Sequence, residues 1–429
     1  MSATRLPLPK SVYAETARPL APVAELAGSH KTSVAVIGGG YTGLSAALHL
    51  AERGIDTMVI EAHEPGWGAS GRNGGQVNPG IYPDPDQVIA DFGADLGQRM
   101  LSFSSAAPDK VFGLVKAHAI DCEAEQTGTL RVAFYDKKLA AARSTFAQLQ
   151  RTGSPATWMD AGQLREATGT DRYLGGIRFP QGGKVNPLGY ARGLAAAAQG
   201  AGAQVFGGSP ATGIARHGGG WRVNTPRGDV SAEHLVIATN AYTDDLWPGL
   251  RRSLVPVYTT IVATAPLSDN LARTVMPSGS VLYEVANNTV YYRLDKWNRM
   301  LMGGRSQQRD VTEFGDAQRL IDYTRQLWPH LGEVPFTHVW NGQVAITTDH
   351  HIHLHEPADN VHVCLGYNGR GVAMGTAMGD VIARRIRGAR REELPMPVTD
   401  IAPISFHRFH RLGVGFRLVY GRIRDQLGI

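Results

Sequence analysis

Gly38, Gly40 and Gly43 stand at the G-x-G-x-x-G spacing in VIGGGYTGLS, and Glu61 closes the next apolar run. Glycines so placed let a chain turn tightly and bring its backbone against a pyrophosphate. The free N–H groups and positive dipole end of a following helix would hold the phosphates, and Glu61 would accept both hydroxyls of an adenosine ribose. The triplet alone is a weak signal, since it also fits an ordinary tight turn from strand to helix. The elements around it strengthen it. Residues 33–37 form a β-branched run suited to a buried strand, and Leu44, Ala47, Leu48 and Ala51 recur at helical period. Gly54 is placed to cap that helix, and residues 57–60 make a second strand. Strand, glycines, helix, strand and acid in this register point to a dinucleotide, NAD or FAD.

The next stretch separates the two. Residues 62–76, AHEPGWGASGRNGGQ, interleave Gly66, Gly68, Gly71, Gly74 and Gly75 with Trp67, Ser70, Arg72, Asn73 and Gln76. A nicotinamide site needs no second glycine loop there. In GGGYTGLSAALHLAERG joined to GWGASGRNGGQ the sequence resembles the flavoprotein oxidoreductases of the D-amino-acid oxidase, glycine oxidase and sarcosine oxidase superfamily. Within it, the match is closest to the branch containing γ-glutamylputrescine oxidoreductase, and the likeness extends more loosely over most of the chain.

The resemblance implies an α/β chain, α+β overall, with a Rossmann-like FAD-binding domain and a second substrate domain built on an antiparallel β-sheet. It implies FAD contacts at Gly38, Gly40, Tyr41, Thr42, Gly43, Glu61 and Ala62. Further contacts are implied in the second loop at Gly68, Ala69, Ser70, Arg72, Asn73, Gly74, Gly75 and Gln76. Later in the chain they fall at Ile214 near the adenine, at Ala238, Thr239 and Asn240, and at Gly369, Arg370, Gly371, Val372 and Ala373.

Composition bounds the reading. The 429 residues suit two domains, and 43% apolar residues can bury sizeable cores. A formal net charge of +5 mildly favours anionic ligands, but Lys and Arg form no run in the core of the chain, so nucleic-acid binding is not expected. Two cysteines, Cys122 and Cys364, are too few for a disulfide framework and fit a reducing, cytoplasmic setting. No signal peptide and no apolar run long enough to span a membrane is read. The expected division assigns residues 30–80, 155–245 and 340–390 to a discontinuous FAD-binding domain. Residues 81–154 and 246–339 then form the substrate domain, and 391–429 a partly helical tail.

Several elements are expected along the way. Residues 87–119 read as helical, 128–135 as a strand and 137–150 as a helix. Asn186 and Pro187 start another helix, which leads into a strand. From residue 254 the pattern is β, with Asn287 and Asn288 in a hairpin turn and Tyr258, Tyr283, Tyr291 and Tyr292 alternating along strands. His350, His351, His353 and His355 alternate at strand period, but no carboxylate partner at suitable spacing is evident and no metal is expected. The tail mixes Phe406, Phe409, Leu412 and Phe416 with Arg408, Arg411, Arg417, Arg422 and Arg424. A basic amphipathic helix can lie on a membrane. Because Gly413, Gly415 and Gly421 interrupt this one, the expectation is that its aromatic face packs on the protein and its arginines face water.

The chemistry follows from the flavin. It takes a hydride from a carbon beside an amine nitrogen, and the imine then hydrolyses to an aldehyde and ammonia or a smaller amine. Oxygen or another acceptor reoxidises it, with hydrogen peroxide as product in the first case. No Ser-His-Asp or paired-carboxylate device is visible, so no catalytic side chain is assigned. Departures from the sarcosine-oxidase pattern narrow the substrate. That branch tethers its flavin through a cysteine where this chain has none near Gly342, so FAD is expected to be noncovalent. The arginine and lysine with which it grips an α-carboxylate are replaced near Gln76 or Val77 and at Ala373, and its oxygen-promoting lysine is missing near Leu301. A polyamine or γ-glutamylated amine fits better, with Tyr258, Arg305 and Asn368 as substrate-binding candidates. The alternatives are a secondary or α-amino-acid oxidase with a different carboxylate clamp, and a non-catalytic dinucleotide-binding protein.

Overall fold

The apolar runs pair into two large sheets in the computed structural model, which describes residues 5–428. In the first sheet Gly28–Ile37 is central, with parallel Gly228–Ile237 on one side and parallel Thr57–Ile60 on the other. Gln204–Phe206 and Val361–Leu365 extend it in parallel, and antiparallel His353–His355 closes one edge. The chain leaves the central strand toward one side and a later strand returns on the other. A crevice therefore opens at the carboxyl ends of Ile37 and Ile237, the place where open parallel sheets bind ligands. Helices Tyr41–Ala51, Pro187–Gly200 and Gly371–Ile386 bury one face of the sheet. The other face packs on a cluster that includes Trp221, Leu250 and Leu254. Covered on both sides, these strands read as continuous apolar runs rather than alternating ones.

The second sheet runs Phe336–Ile346, Val255–Thr264, Met300–Arg305, Val290–Leu294, Val281–Glu284, Thr129–Ala133, Gly175–Phe179, Thr157–Asp160. Its neighbours are antiparallel except Val281–Glu284 and Thr129–Ala133. One face, carrying Val262, Leu282, Tyr292 and Met302, packs with Ile321, Leu327 and Trp328. Along a strand, alternate residues face opposite ways. The other face therefore carries Arg293, Tyr291, Gly303 and Trp340, and it turns toward the crevice.

Three expectations are corrected. The strands Thr157–Asp160 and Gly175–Phe179 belong to the second sheet rather than the parallel one, because Gly175–Phe179 pairs on the free edge of Thr129–Ala133 and Thr157–Asp160 pairs on Gly175–Phe179 in turn. Residues 87–119 are not one helix but parts of three, Pro85–Phe92, Ala94–Ser105 and Ala107–Ala117. Gly93, at φ +78°, breaks the first from the second, and Pro108 lies in the first turn of the third, where its missing N–H costs nothing.

The tail is the third. His410–Leu427 is one helix, uninterrupted by its glycines, and it docks by the face opposite its aromatic one. Asp425 accepts from the Asn287 amide (2.9 Å), Asn287 Nδ2 (2.7 Å) and the Asn288 amide (2.9 Å), while Asn288 Nδ2 donates to the Leu418 carbonyl at 2.8 Å. A Cβ at Gly421 would stand 3.1 Å from Asn287 Cβ, so glycine marks the docking point. A polar clamp and a close approach, rather than apolar burial, choose which face meets the protein.

Candidate active site

The glycine fingerprint sits in the crevice, and each glycine has its own reason to be there. Gly38 turns at φ +107° with its amide donating to the Ile60 carbonyl (3.0 Å), and a Cβ would lie 2.9 Å from the Ala238 carbonyl oxygen. At Gly43 a Cβ would come within 2.1 Å of the Gly38 carbonyl oxygen, so only glycine lets the helix start this close to the strand. Gly40 precedes helix Tyr41–Ala51 with no side-chain cap, and a Cβ there would stand 2.9 Å from Ser70 Oγ. The Tyr41 amide donates to Ser70 Oγ at 3.0 Å; among the described residues the Thr42 and Gly43 amides find no acceptor. Unpartnered amides at a helix start are what a phosphate requires.

Glu61 closes over this loop from the next strand. One carboxylate oxygen accepts from the Gly39 amide at 2.7 Å and the other from the His63 amide at 2.9 Å, and each retains a lone pair for a ribose hydroxyl. Burial raises the Glu61 carboxyl above its ordinary value, while its amide donors pull it down. Ala62 follows, and the Ser209 amide donates to the Glu61 carbonyl at 2.8 Å, so the segment leading to Ile214 passes the acid. Ile214 itself lies on a hairpin opposite Val223, against the apolar cluster of the sheet's far face.

The second loop is braced from within. Asn73 Nδ2 donates to the Ala69 and Ser70 carbonyls at 3.1 and 3.0 Å, and its Oδ1 accepts from the Gly75 amide at 2.8 Å. Gly68 lies under the Tyr242 ring. Arg72 Nε donates to the Trp67 carbonyl at 2.8 Å, with its guanidinium 4.2 Å from the Trp67 ring centroid. Gln76 spends its amide on the Leu282 and Tyr292 carbonyls, at 2.9 and 3.2 Å.

Two further segments complete the crevice. Ala238 donates to the Ile37 carbonyl at 2.9 Å, Thr239 Oγ1 pairs with Thr243 Oγ1 at 2.7 Å, and Asn240 Oδ1 accepts from the Gly366 amide at 3.0 Å. Gly369, at φ +89°, leads through Arg370 into helix Gly371–Ile386, whose first turn holds Val372 and Ala373. This helix lies against Tyr41–Ala51 because Gly375 and Gly379 clear Thr42 and Ser45: a Cβ at Gly379 would be 2.5 Å from Ser45 Cβ. Ser45 Oγ donates to the Thr376 carbonyl (2.7 Å), and the Thr42 and Tyr367 hydroxyls meet at 2.6 Å. Two helix N-termini thus lie side by side, which suits an extended dianion. Orphan amides, a paired acid and glycines without room for a Cβ together fit a dinucleotide.

The substrate sheet holds the second loop in place through Arg293, which the sequence did not single out, and through Tyr291 and Trp340. Buried Arg293 donates from Nε to the Gly74 carbonyl (2.7 Å) and from Nη2 to the Val185 carbonyl (3.1 Å), joining the substrate sheet to the loop. Tyr291 covers Gly74, and Trp340 Nε1 donates to the Arg72 carbonyl at 3.0 Å. An arginine inside the apolar run VYYRL was the available signal.

The substrate candidates separate. Gly342, Thr259 and Arg305 pair in one row, and Gly342 packs against the Arg72 side chain, so Arg305 shares the crevice-facing side. It makes no hydrogen bond or ion pair among the described residues. Burial lowers its guanidinium from the ordinary value; Tyr82 opposes this and Arg417 adds to it. Tyr258, one residue from Thr259, faces the other way, its hydroxyl accepting from Gln343 Nε2 at 2.8 Å. Asn368 is spent on the turn: Oδ1 accepts from the Thr347 amide (3.0 Å), and Nδ2 donates to the Gly366 and His351 carbonyls (2.6 and 3.2 Å). Arg370 Nη2 donates to Tyr283 Oη at 2.8 Å. His350 stacks on Tyr82 with centroids 4.5 Å apart; burial lowers it, and Arg417 and Arg305 push it the same way.

The remaining histidines diverge. His351 Nε2 meets Asp91 at 2.7 Å, His353 Nε2 meets Asp349 at 3.0 Å, and His355 Nδ1 donates to the Thr399 carbonyl at 2.7 Å. Among the described residues no group of three metal-ligating side chains forms. Cys122 and Cys364 are buried and free, and burial pushes both thiols up to about 12. No helix among the described residues is long and apolar enough to cross a membrane.

Comparison with known proteins agrees with this geometry. The family model described as FAD dependent oxidoreductase (DAO) matches residues 33–385. Gamma-glutamylputrescine oxidoreductase of Escherichia coli (strain K12) is 33% identical over 98% of this chain and 99% of its own length. A probable oxidoreductase, OrdL, of Rhizobium meliloti is 32% identical over 87% of each chain. Among solved structures, glycine oxidase from Geobacillus kaustophilus superposes with a TM-score of 0.72 over 86% of this chain and 99% of that one, at 21% identity.

Proposed function

Because the chain belongs to the DAO family of FAD-dependent oxidoreductases, we propose that it oxidises an amine of the polyamine or γ-glutamylated type. Bound in the crevice, the flavin would accept a hydride from the carbon beside nitrogen, leaving an imine that water hydrolyses to an aldehyde and ammonia or a smaller amine. The chain's own work is to hold the dinucleotide and to present that carbon. Gly38, Gly40 and Gly43, the first-turn amides and Glu61 would take the adenosine and phosphates. The loop braced by Asn73 and Arg293, with the turn at Gly369–Gly371, would line the flavin.

The observation that carries the substrate reading is Arg305, a half-buried cation with no anion of its own among the described residues. It lies two strands from the Gly342–Arg72 contact, roughly 10 Å at ordinary strand spacing. Arg417 is its charged neighbour, and His350, held toward its neutral form by burial and by both arginines, lies beside them. A bare polyamine would bring a second cation toward these groups, at an electrostatic cost. A γ-glutamylated amine would bring its carboxylate there while its free amine reaches the flavin, with Arg305 as the carboxylate partner. An α-amino acid carries its carboxylate on the reacting carbon and would meet Arg305 only if that carbon lay directly beside it. The E. coli relative is named for γ-glutamylputrescine, consistent with this choice.

The test is turnover of γ-glutamylputrescine, putrescine, glycine and sarcosine, read as aldehyde or keto-acid product and as peroxide in air. The γ-glutamylated amine should be turned over best. Preferential turnover of glycine or sarcosine would replace this reading with an α-amino-acid oxidase.

A further inference from the structure

The C-terminal helix presents an apolar stripe to the outside of the protein. Phe409, Leu412, Phe416, Val419, Ile423 and Leu427 recur three or four residues apart, the spacing of one helix face. They are 48%, 73%, 75%, 53%, 50% and 66% exposed, in that order, and Phe406 just before the helix is 80% exposed. Most other large apolar side chains of the molecule are covered, so these form a patch rather than a scatter. Gly421, Asp425 and the Leu418 carbonyl, which make the docking contacts, lie on the reverse of the helix. The stripe therefore faces away from the body.

Charge selects what could cover it. Arg408, Arg411 and Arg422 are exposed and flank the stripe, and Asp425, the one acid from residue 406 onward, is held in the clamp with Asn287 and Asn288. The outward surface of the helix is thus apolar in the middle and positive at its margin. A second copy laid on it by two-fold symmetry would set arginines against arginines with no acid between them. Anionic lipid satisfies both parts, because acyl chains take the aromatic side chains and headgroups take the guanidinium groups.

We propose that the helix His410–Leu427 seats this protein on an anionic membrane surface as an interfacial anchor that does not cross the bilayer. The clamp at Asp425 then holds the rest of the molecule against that surface, so the enzyme is carried as a rigid body.

The test is co-sedimentation of the flavin-loaded full chain with vesicles of phosphatidylglycerol and phosphatidylcholine, and with phosphatidylcholine vesicles alone. The protein should sediment with the anionic vesicles, weakly or not at all with the zwitterionic ones, and less as salt is raised. The double variant Leu412→Ser, Phe416→Ser should bind at least about tenfold more weakly, as expected for two apolar side chains withheld from lipid. Its amine turnover in solution should match the parent, showing that it folds. Failure to sediment with anionic vesicles would overturn the proposal, as would equal binding by the variant. A dimer seen by light scattering that the double substitution dissolves would assign the stripe to a second copy and overturn it too.

Discussion

Replacing Arg305 by glutamine removes a guanidinium that no acid among the described residues partners, so the loss should fall on the ligand rather than on the fold. A hydrogen bond to a charged group contributes about 1.5–3 kcal/mol. Its removal should lower kcat/KM for a γ-glutamylated amine roughly 10- to 150-fold, while amines without a carboxylate change by less than about threefold. Arg305→Lys should recover part of the loss, since it restores the charge but not the planar fork. Arg305→Gln also takes a cation out of a half-buried position beside Arg417. Thermal stability of the ligand-free variant should therefore hold or rise. Steady-state kinetics on paired substrates with and without the carboxylate, beside a thermal melt, read both effects. Equal losses on both substrates, or a melt several degrees lower, would refute the assignment and make Arg305 a structural residue.

Two other outcomes are expected. Gly43→Ala places a Cβ 2.1 Å from the Gly38 carbonyl oxygen, so helix and strand must part; the purified variant should retain less than about a tenth of the parent's flavin, read from the ratio of flavin to protein absorbance. Glu284 is buried and accepts from Tyr173 and Tyr323, and burial raises its carboxyl from 4.5 to about 7 in spite of those donors. The folded protein thus holds this proton to higher pH than the unfolded chain, so stability at this site is full below about pH 4.5 and is lost as pH climbs toward 7. At about 1.4 kcal/mol per pH unit the loss is about 3 kcal/mol, and Glu284→Gln should melt higher than the parent at pH 8 but equally near pH 4.5.

What the sequence makes legible here is what is local. The fingerprint glycines, Glu61 and the turn at Gly369 each depend on a few neighbours in the chain, and strand, turn and helix follow from those residues alone. The Arg293 clamp depends on strand register set far away: alternation places Arg293 on one face of a strand, but only the sheet's order brings that face to Gly74. The tail shows the same limit. Its amphipathic pattern is plain, yet the face that docks is chosen by the amides at Asn287 and Asn288, well over a hundred residues earlier, meeting one aspartate. The strands Thr157–Asp160 and Gly175–Phe179 are short enough to suit either sheet, and the open edge at Thr129–Ala133 decides. Among the substrate candidates, the two-residue alternation within each strand can be counted in sequence, but the register that sets Arg305 opposite Thr259 rather than Tyr258 cannot. Nor can the face that meets the crevice.

The measurement that bears most directly on the central claim is the absorbance spectrum of the purified protein without oxygen, before and after γ-glutamylputrescine is added. A bound-flavin spectrum should bleach with the amine, stay unchanged with glycine or sarcosine, and return when air or another acceptor is admitted. A flavin that no amine reduces, or a protein that takes up no flavin on reconstitution, would contradict the claim.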